Sequence, residues 1–114
     1  MKNRSPQLFF QDILDSIKKI IKYTESVSYE DFVKNDVIID AVIRNFEVIG
    51  EAAKYIPEKF KSKYSNLPLK EMVGMRNILI HDYLGIDYDF VWQTIKEDLP
   101  SAKEVIELII KENF

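Results

Sequence analysis

The chain reads as an all-α domain, a small up-and-down bundle of about five helices, and three observations predict it. Apolar residues recur at three- and four-residue steps along several segments, while no segment sustains period-two alternation. Glycine and proline number only three and four in 114 residues, too few for a turn-rich all-β fold. Helix-start residues also stand ahead of each periodic segment. Residues 1–114 form one domain on this reading, since domains run to roughly 100–200 residues. A chain of this size buries about two-thirds of its unfolded surface, so one core suffices without disulfides or metal.

Ser5-Pro6 is a helix start, with Ser5 as N-cap and Pro6 at the first helical position. Leu8, Ile13, Leu14, Ile17, Ile20 and Ile21 then give one apolar stripe to about Thr24. Ser28-Tyr29-Glu30-Asp31 resembles a capping box and opens a short helical turn. Asn35 or Asp36 caps a longer helix to Ile56, where Pro57 ends it. Its inward face is predicted as Ile38, Val42, Ile49, Ala53 and Ile56, flanked by Ala41, Phe46 and Ala52. Residues 57–69 read as a short turn and loop closed by Pro68. The next helix runs from Leu69 to about His81, with Met72, Met75 and Leu79 inward and Leu84-Gly85 as its stop. Asp87 caps a helix through Phe90, Val91, Ile95 and Leu99, and Pro100 permits a new start for the C-terminal helix.

Composition narrows the function classes. With no cysteine, thiolate chemistry, zinc ribbons and iron–sulfur sites are excluded. A single histidine, His81, excludes multi-histidine metal sites within one chain, and neither a metal nor a cofactor is expected. The N-terminus lacks a secretory signal, and no apolar run exceeds four residues against the ~20 of a membrane span. A cytoplasmic protein without membrane contact is the expectation. The net charge of −3 hides a polarity: residues 54–76 carry six basic against two acidic groups, and residues 82–112 three against eight. The basic stretch is either a solvated connecting region or a phosphate-facing patch.

Two features of the 36–56 helix ask for a cause. Gly50 stands mid-helix, at a cost of about 1 kcal/mol against alanine, which close approach of another helix would justify. Asp40, Arg44, Glu47 and Glu51 form a polar stripe. Arg44 is expected to neutralise the two glutamates on a solvated face. A metal held by Glu47 and Glu51 is the lesser reading, because no histidine joins them.

Chemistry concentrates in Met75-Arg76-Asn77-Ile78-Leu79-Ile80-His81-Asp82-Tyr83. On a helix Asn77 and His81, four apart, share a face, and Arg76 lies about 140° away with a side chain long enough to swing across. A histidine in a last helical turn also has a purely structural use, since it favours the negative end of the dipole. The set nevertheless meets the needs of RNA cleavage without metal. Imidazole, with a pKa near 6.5, can take the 2′-hydroxyl proton. Guanidinium can hold the phosphate as its charge grows, and an amide or phenol can orient it. A second proton donor is missing from one chain, and a homodimer would supply a second His81.

Arg76-Asn77-x-x-x-His81-x-Tyr83 resembles the R-N-x-x-x-H-x-Y signature of HepT-like toxins of the HEPN superfamily. Gly74-Met75 ahead of it fits the same pattern, as does Arg44-Asn45-Phe46-Glu47-Val48-Ile49-Gly50-Glu51-Ala52-Ala53 for an earlier helix. Asp87-Tyr88-Asp89-x-Val91-Trp92 and Leu99-Pro100 fit the segment that follows. Leu67-Pro68-Leu69 departs from the family's frequent tryptophan before the motif helix. The resemblance implies a HEPN-like homodimeric bundle and a metal-independent endoribonuclease toxin acting on RNA, with Arg76, Asn77, His81 and Tyr83 at its site. It further implies a nucleotidyltransferase antitoxin of the MntA type, which neutralises the toxin by transferring AMP from ATP to Tyr83. A non-catalytic helical module docked on such a nucleotidyltransferase is the alternative, and a purely structural bundle a third.

Overall fold

A computed structural model describes residues 4–81 and 85–114; the side chains of Ile80 and His81 also lie outside what is described. Among the described residues the secondary structure is helical, with no strand. The elements are α1 (Pro6–Thr24), α2 (Tyr29–Phe32), α3 (Asp36–Ala53), α4 (Glu58–Lys63), α5 (Leu69–His81), α6 (Tyr88–Gln93) and α7 (Leu99–Asn113), with a π-helical turn at Thr94–Asp98 joining the last two. α3 packs against both α1 and α5, α7 packs against α1, and α3, α5 and α7 together border one apolar groove.

Local chemistry starts these helices where the sequence predicts. Ser28 Oγ accepts from the Asp31 amide, and Asn35 Oδ1 from the Ile38 amide at 3.1 Å, which resolves the Asn35/Asp36 choice in favour of Asn35. Asp87 Oδ1 accepts from the Phe90 amide at the start of α6. Ser5 is the N-cap of α1 by position, with Pro6 behind it, but its hydroxyl makes no capping bond.

The core confirms the helical period and corrects its phase at two places. In α1 the buried residues are Phe9, Phe10, Ile13, Leu14, Ser16, Ile17, Ile20 and Thr24, whereas Leu8 is 47% exposed. Stepping back three and four from Ile13 gives Phe10 and Phe9, so Leu8 falls off the stripe. In α3 it is Ile39, not Ile38, that is buried, alongside Val42, Phe46, Ile49 and Ala53. That helix ends at Ala53 rather than Ile56, because Tyr55 and Ile56 donate to carbonyls three residues back and tighten the last turn ahead of Pro57. Thr24 is buried with its hydroxyl satisfied by the Ile20 carbonyl at 2.8 Å.

The expected break before Pro100 is instead a change of helical pitch. Pro100 has no amide hydrogen and its ring crowds the carbonyl four residues back. The wider π turn at Thr94–Asp98, closed by the Leu99 amide on the Thr94 carbonyl, takes up the misfit and lets α6 run into α7. Lys96, on that turn, donates to the Thr24 carbonyl at 3.0 Å and lies 4.6 Å over the Trp92 ring. At the other end Tyr64 donates to Glu112 at 2.7 Å, and Phe10 meets Phe60 edge-on, tying the α4 region to α1 and α7. No helix among the described residues is long and apolar enough to cross a membrane.

Candidate active site

The site is built where α5 crosses α3. Met72, Met75 and Leu79 are buried as predicted, which turns the opposite side of α5 outward. Arg76 sits at the boundary between the two sides, its side chain 31% exposed. Its stem fits only because position 50 is glycine: a Cβ there would stand 2.2 Å from Arg76 Cβ and 3.0 Å from the Met72 carbonyl oxygen. Gly50 therefore has the close-approach role expected of it, and the group that approaches is Arg76 itself.

The guanidinium is held on two sides. Nη1 donates to Asn77 Oδ1 at 3.1 Å, and Nη2 lies 3.6 Å from Glu51 Oε2. Glu51 also faces Lys54 Nζ at 4.0 Å. This corrects the expectation that Arg44 balances the glutamate stripe: the partners of Glu51 are Arg76, from another helix, and Lys54 one turn on. Arg44, Glu47, Glu51, Asp12 and Arg76 instead surround, with Val48 and Ala52, an open hollow of about 270 Å³. No group of three or more His, Asp or Glu side chains that could hold a metal ion occurs among the described residues.

His81 is the last residue of α5, five positions beyond Arg76 and four beyond Asn77 on one continuous helix. Its side chain, and Asp82, Tyr83 and Leu84 in full, lie outside the described residues, so the Tyr83 site and the Leu84 part of the helix stop do too. The structure thus brings Arg76 and Asn77 into direct contact and seats His81 on the same element.

The lysines of the 54–76 stretch are exposed, and several lie over neighbouring rings: Lys54 over Tyr55, Lys59 over Phe60 and Lys63 over Tyr64. On the far side of α5 an apolar groove of about 500 Å³ runs toward α7, lined by Phe46, Met72, Met75, Leu99 and Val105 among others. Phe90 stands at this groove, 44% exposed. Glu51 as the partner of Arg76 escaped sequence reasoning, because its spacing from Arg44 and Glu47 describes one helix and holds no information about the neighbour. The only sequence signal is its place beside Gly50, the position at which another helix must come close.

Comparison with known proteins accords with this arrangement. Residues 13–109 match the family described as "Ribonuclease HepT-like". A protein named "Putative RNase MJ1380" from Methanocaldococcus jannaschii is 47% identical over 109 residues, covering 96% of this chain and all of that one. A second from the same organism, "Putative RNase MJ1216", is 46% identical over 98% of this chain and 93% of its own. "Probable ribonuclease HepT" of Thermococcus cleftensis is 42% identical over 95% of this chain and 98% of its own. No solved structure matches. Fold, motif and similarity along nearly the whole length lead to one conclusion: the chain belongs to the HepT-like ribonuclease family.

Proposed function

We propose that this protein is a metal-independent endoribonuclease and the toxin of a toxin–antitoxin pair, acting as a homodimer. The observation that carries the reading is the guanidinium of Arg76, held by Glu51 and Asn77 on the same helix as the only histidine and five residues ahead of it, in a chain of a ribonuclease family. His81 takes the proton from a ribose 2′-hydroxyl, whose oxygen attacks the adjacent phosphorus. Arg76 donates to the phosphate oxygens as their charge increases, and Asn77 orients that guanidinium. The bond to the 5′-oxygen breaks, that oxygen gains a proton from the second chain's histidine, and the products are a 2′,3′-cyclic phosphate and a 5′-hydroxyl. Neutralisation follows from a nucleotidyltransferase antitoxin that moves AMP from ATP to Tyr83, placing a negative phosphodiester and its bulk near the phosphate site.

Purified protein should cut RNA in excess EDTA and leave cyclic-phosphate ends. Cleavage by His81→Ala at the wild-type rate would refute the assignment. A stable complex with a nucleotidyltransferase, with no RNA cut at any ratio, would favour the non-catalytic module instead. Incubation with such an antitoxin and ATP should raise the intact mass by whole AMP units, and Tyr83→Phe should abolish the rise. Sedimentation should show a dimer at micromolar concentration, and full activity from a monomer would remove the two-chain requirement.

A further inference from the structure

Two consecutive residues of α3 act on one side chain of α5. Gly50 admits the Cβ and Cγ of Arg76, and Glu51 meets its Nη2, while Asn77 Oδ1 accepts a hydrogen bond from Nη1. The stem is thereby fixed by packing and the head by a carboxylate and an amide. A guanidinium has five N–H donors, so these two contacts leave donors for a phosphate. The Glu51 contact, at 3.6 Å and partly solvated, is longer than the ~2.8 Å of a close charge-assisted hydrogen bond. It orients Arg76 without sequestering it.

We infer that Glu51 is a positioning residue for RNA cleavage, acting through Arg76: it holds the guanidinium, seated on Gly50, in the direction in which it receives the scissile phosphate. The inference rests on Arg76 being the phosphate-binding group. Arginine otherwise carries a large rotamer entropy, and a group held in place before substrate arrives does not lose it during the reaction. A negative charge beside an anionic substrate raises the cost of binding, so Glu51 affects binding and turnover in opposite directions. That opposition separates positioning from other roles.

The test is cleavage kinetics on a short RNA with Glu51→Ala, Glu51→Gln, Arg76→Lys, Arg76→Ala and the double variant Glu51→Ala/Arg76→Lys. Glu51→Ala should lower kcat about tenfold with KM unchanged or lower, since misplacing a catalytic contact acts on turnover. Glu51→Gln, which keeps an acceptor oxygen at the same reach, should recover part of that loss. The melting temperature should stay at the wild-type value, because alanine is a strong helix former at a half-exposed position. On the Arg76→Lys background, Glu51→Ala should cost less than about twofold more, because the group it acts through has gone. Wild-type kcat in Glu51→Ala with a lowered KM would reduce Glu51 to electrostatic repulsion and overturn the inference. An undiminished tenfold loss on the Arg76→Lys background would overturn it as well. If instead Arg76→Ala cleaves normally, the role given to Arg76 fails and takes this inference with it, an outcome distinct from Arg76→Ala being dead while Glu51→Ala is wild type.

Discussion

α3 has two neighbours, and it meets them by opposite means. Toward α1 the contact is made of volume: Phe9, Phe10, Ile13, Ile17 and Ile20 are at most 2% exposed, and Phe9 stacks on Tyr55 at 5.5 Å. Toward α5 a decisive feature is missing volume, the glycine at position 50 into which the stem of Arg76 fits. The first contact tolerates changes of detail, since many interchangeable apolar groups share the burial. The second does not, since one backbone position determines where one charged side chain stands. Most of the large fully buried side chains at these two contacts are on the α1 side, and the candidate chemistry is on the α5 side.

This contrast can be broken first from its stable side. Phe10→Ala removes a fully buried ring from contact with Phe60 and should cost about 3–5 kcal/mol in denaturant unfolding. RNA cleavage per folded molecule should be retained at low temperature. If Phe10→Ala instead lost activity while holding its stability, the separation of core from site would be wrong.

Gly50→Ala probes the other side. Overpacking costs about 1–3 kcal/mol and the better helix propensity of alanine returns about 1, so a net loss of up to about 2 is expected in the same experiment. Its effect on cleavage should exceed its effect on stability, because a Cβ at 2.2 Å from Arg76 Cβ must push the two helices apart. Normal kcat with an intact fold would show that the seat is not needed.

Asn35→Ala removes the cap of α3 at the end remote from Gly50. It should lower stability by about 1 kcal/mol with kcat unchanged, read from paired melting and cleavage assays.

The smallest effect belongs to Tyr29, beyond both contacts. The Asp89 carboxylate, as hydrogen-bond acceptor and neighbouring charge, pushes the Tyr29 phenol up to about 12 from 10.0. A phenol whose folded pKa is raised contributes stability fully present below pH 10, which is lost as pH rises through the folded value. Ultraviolet titration should therefore show a phenol titrating near pH 12 that Asp89→Ala shifts toward 10, with the α2–α6 contact weakening only in that window. The absence of any phenol titrating near pH 12 would contradict it.

How much of this was legible depends on the range of the interaction. Caps at Ser28, Asn35 and Asp87 act over three residues, and their side chains sit where the sequence says. Helical period also carried through, but its phase slipped at Leu8 and Ile38, because neighbouring apolar residues satisfy a 3.6-residue repeat almost equally well. The π turn before Pro100 could not be read, since a proline signals that ordinary helical bonding must fail without saying how the chain adapts. Of the candidate site, the sequence named Arg76 and Asn77, which the structure brings into contact, and put His81 at the end of their helix. It assigned Glu51 to the wrong arginine.

By itself, then, the sequence determined what short-range physics controls: an all-helical chain, the starts of its helices, the inward side of α5 and the string of residues capable of acid–base and phosphate chemistry. Tertiary structure alone decided which partners those residues have. Side-chain spacing along one helix specifies a face, not what lies across from it. Only the crossing of α3 and α5 brought Gly50 under the stem of Arg76 and Glu51 to its head.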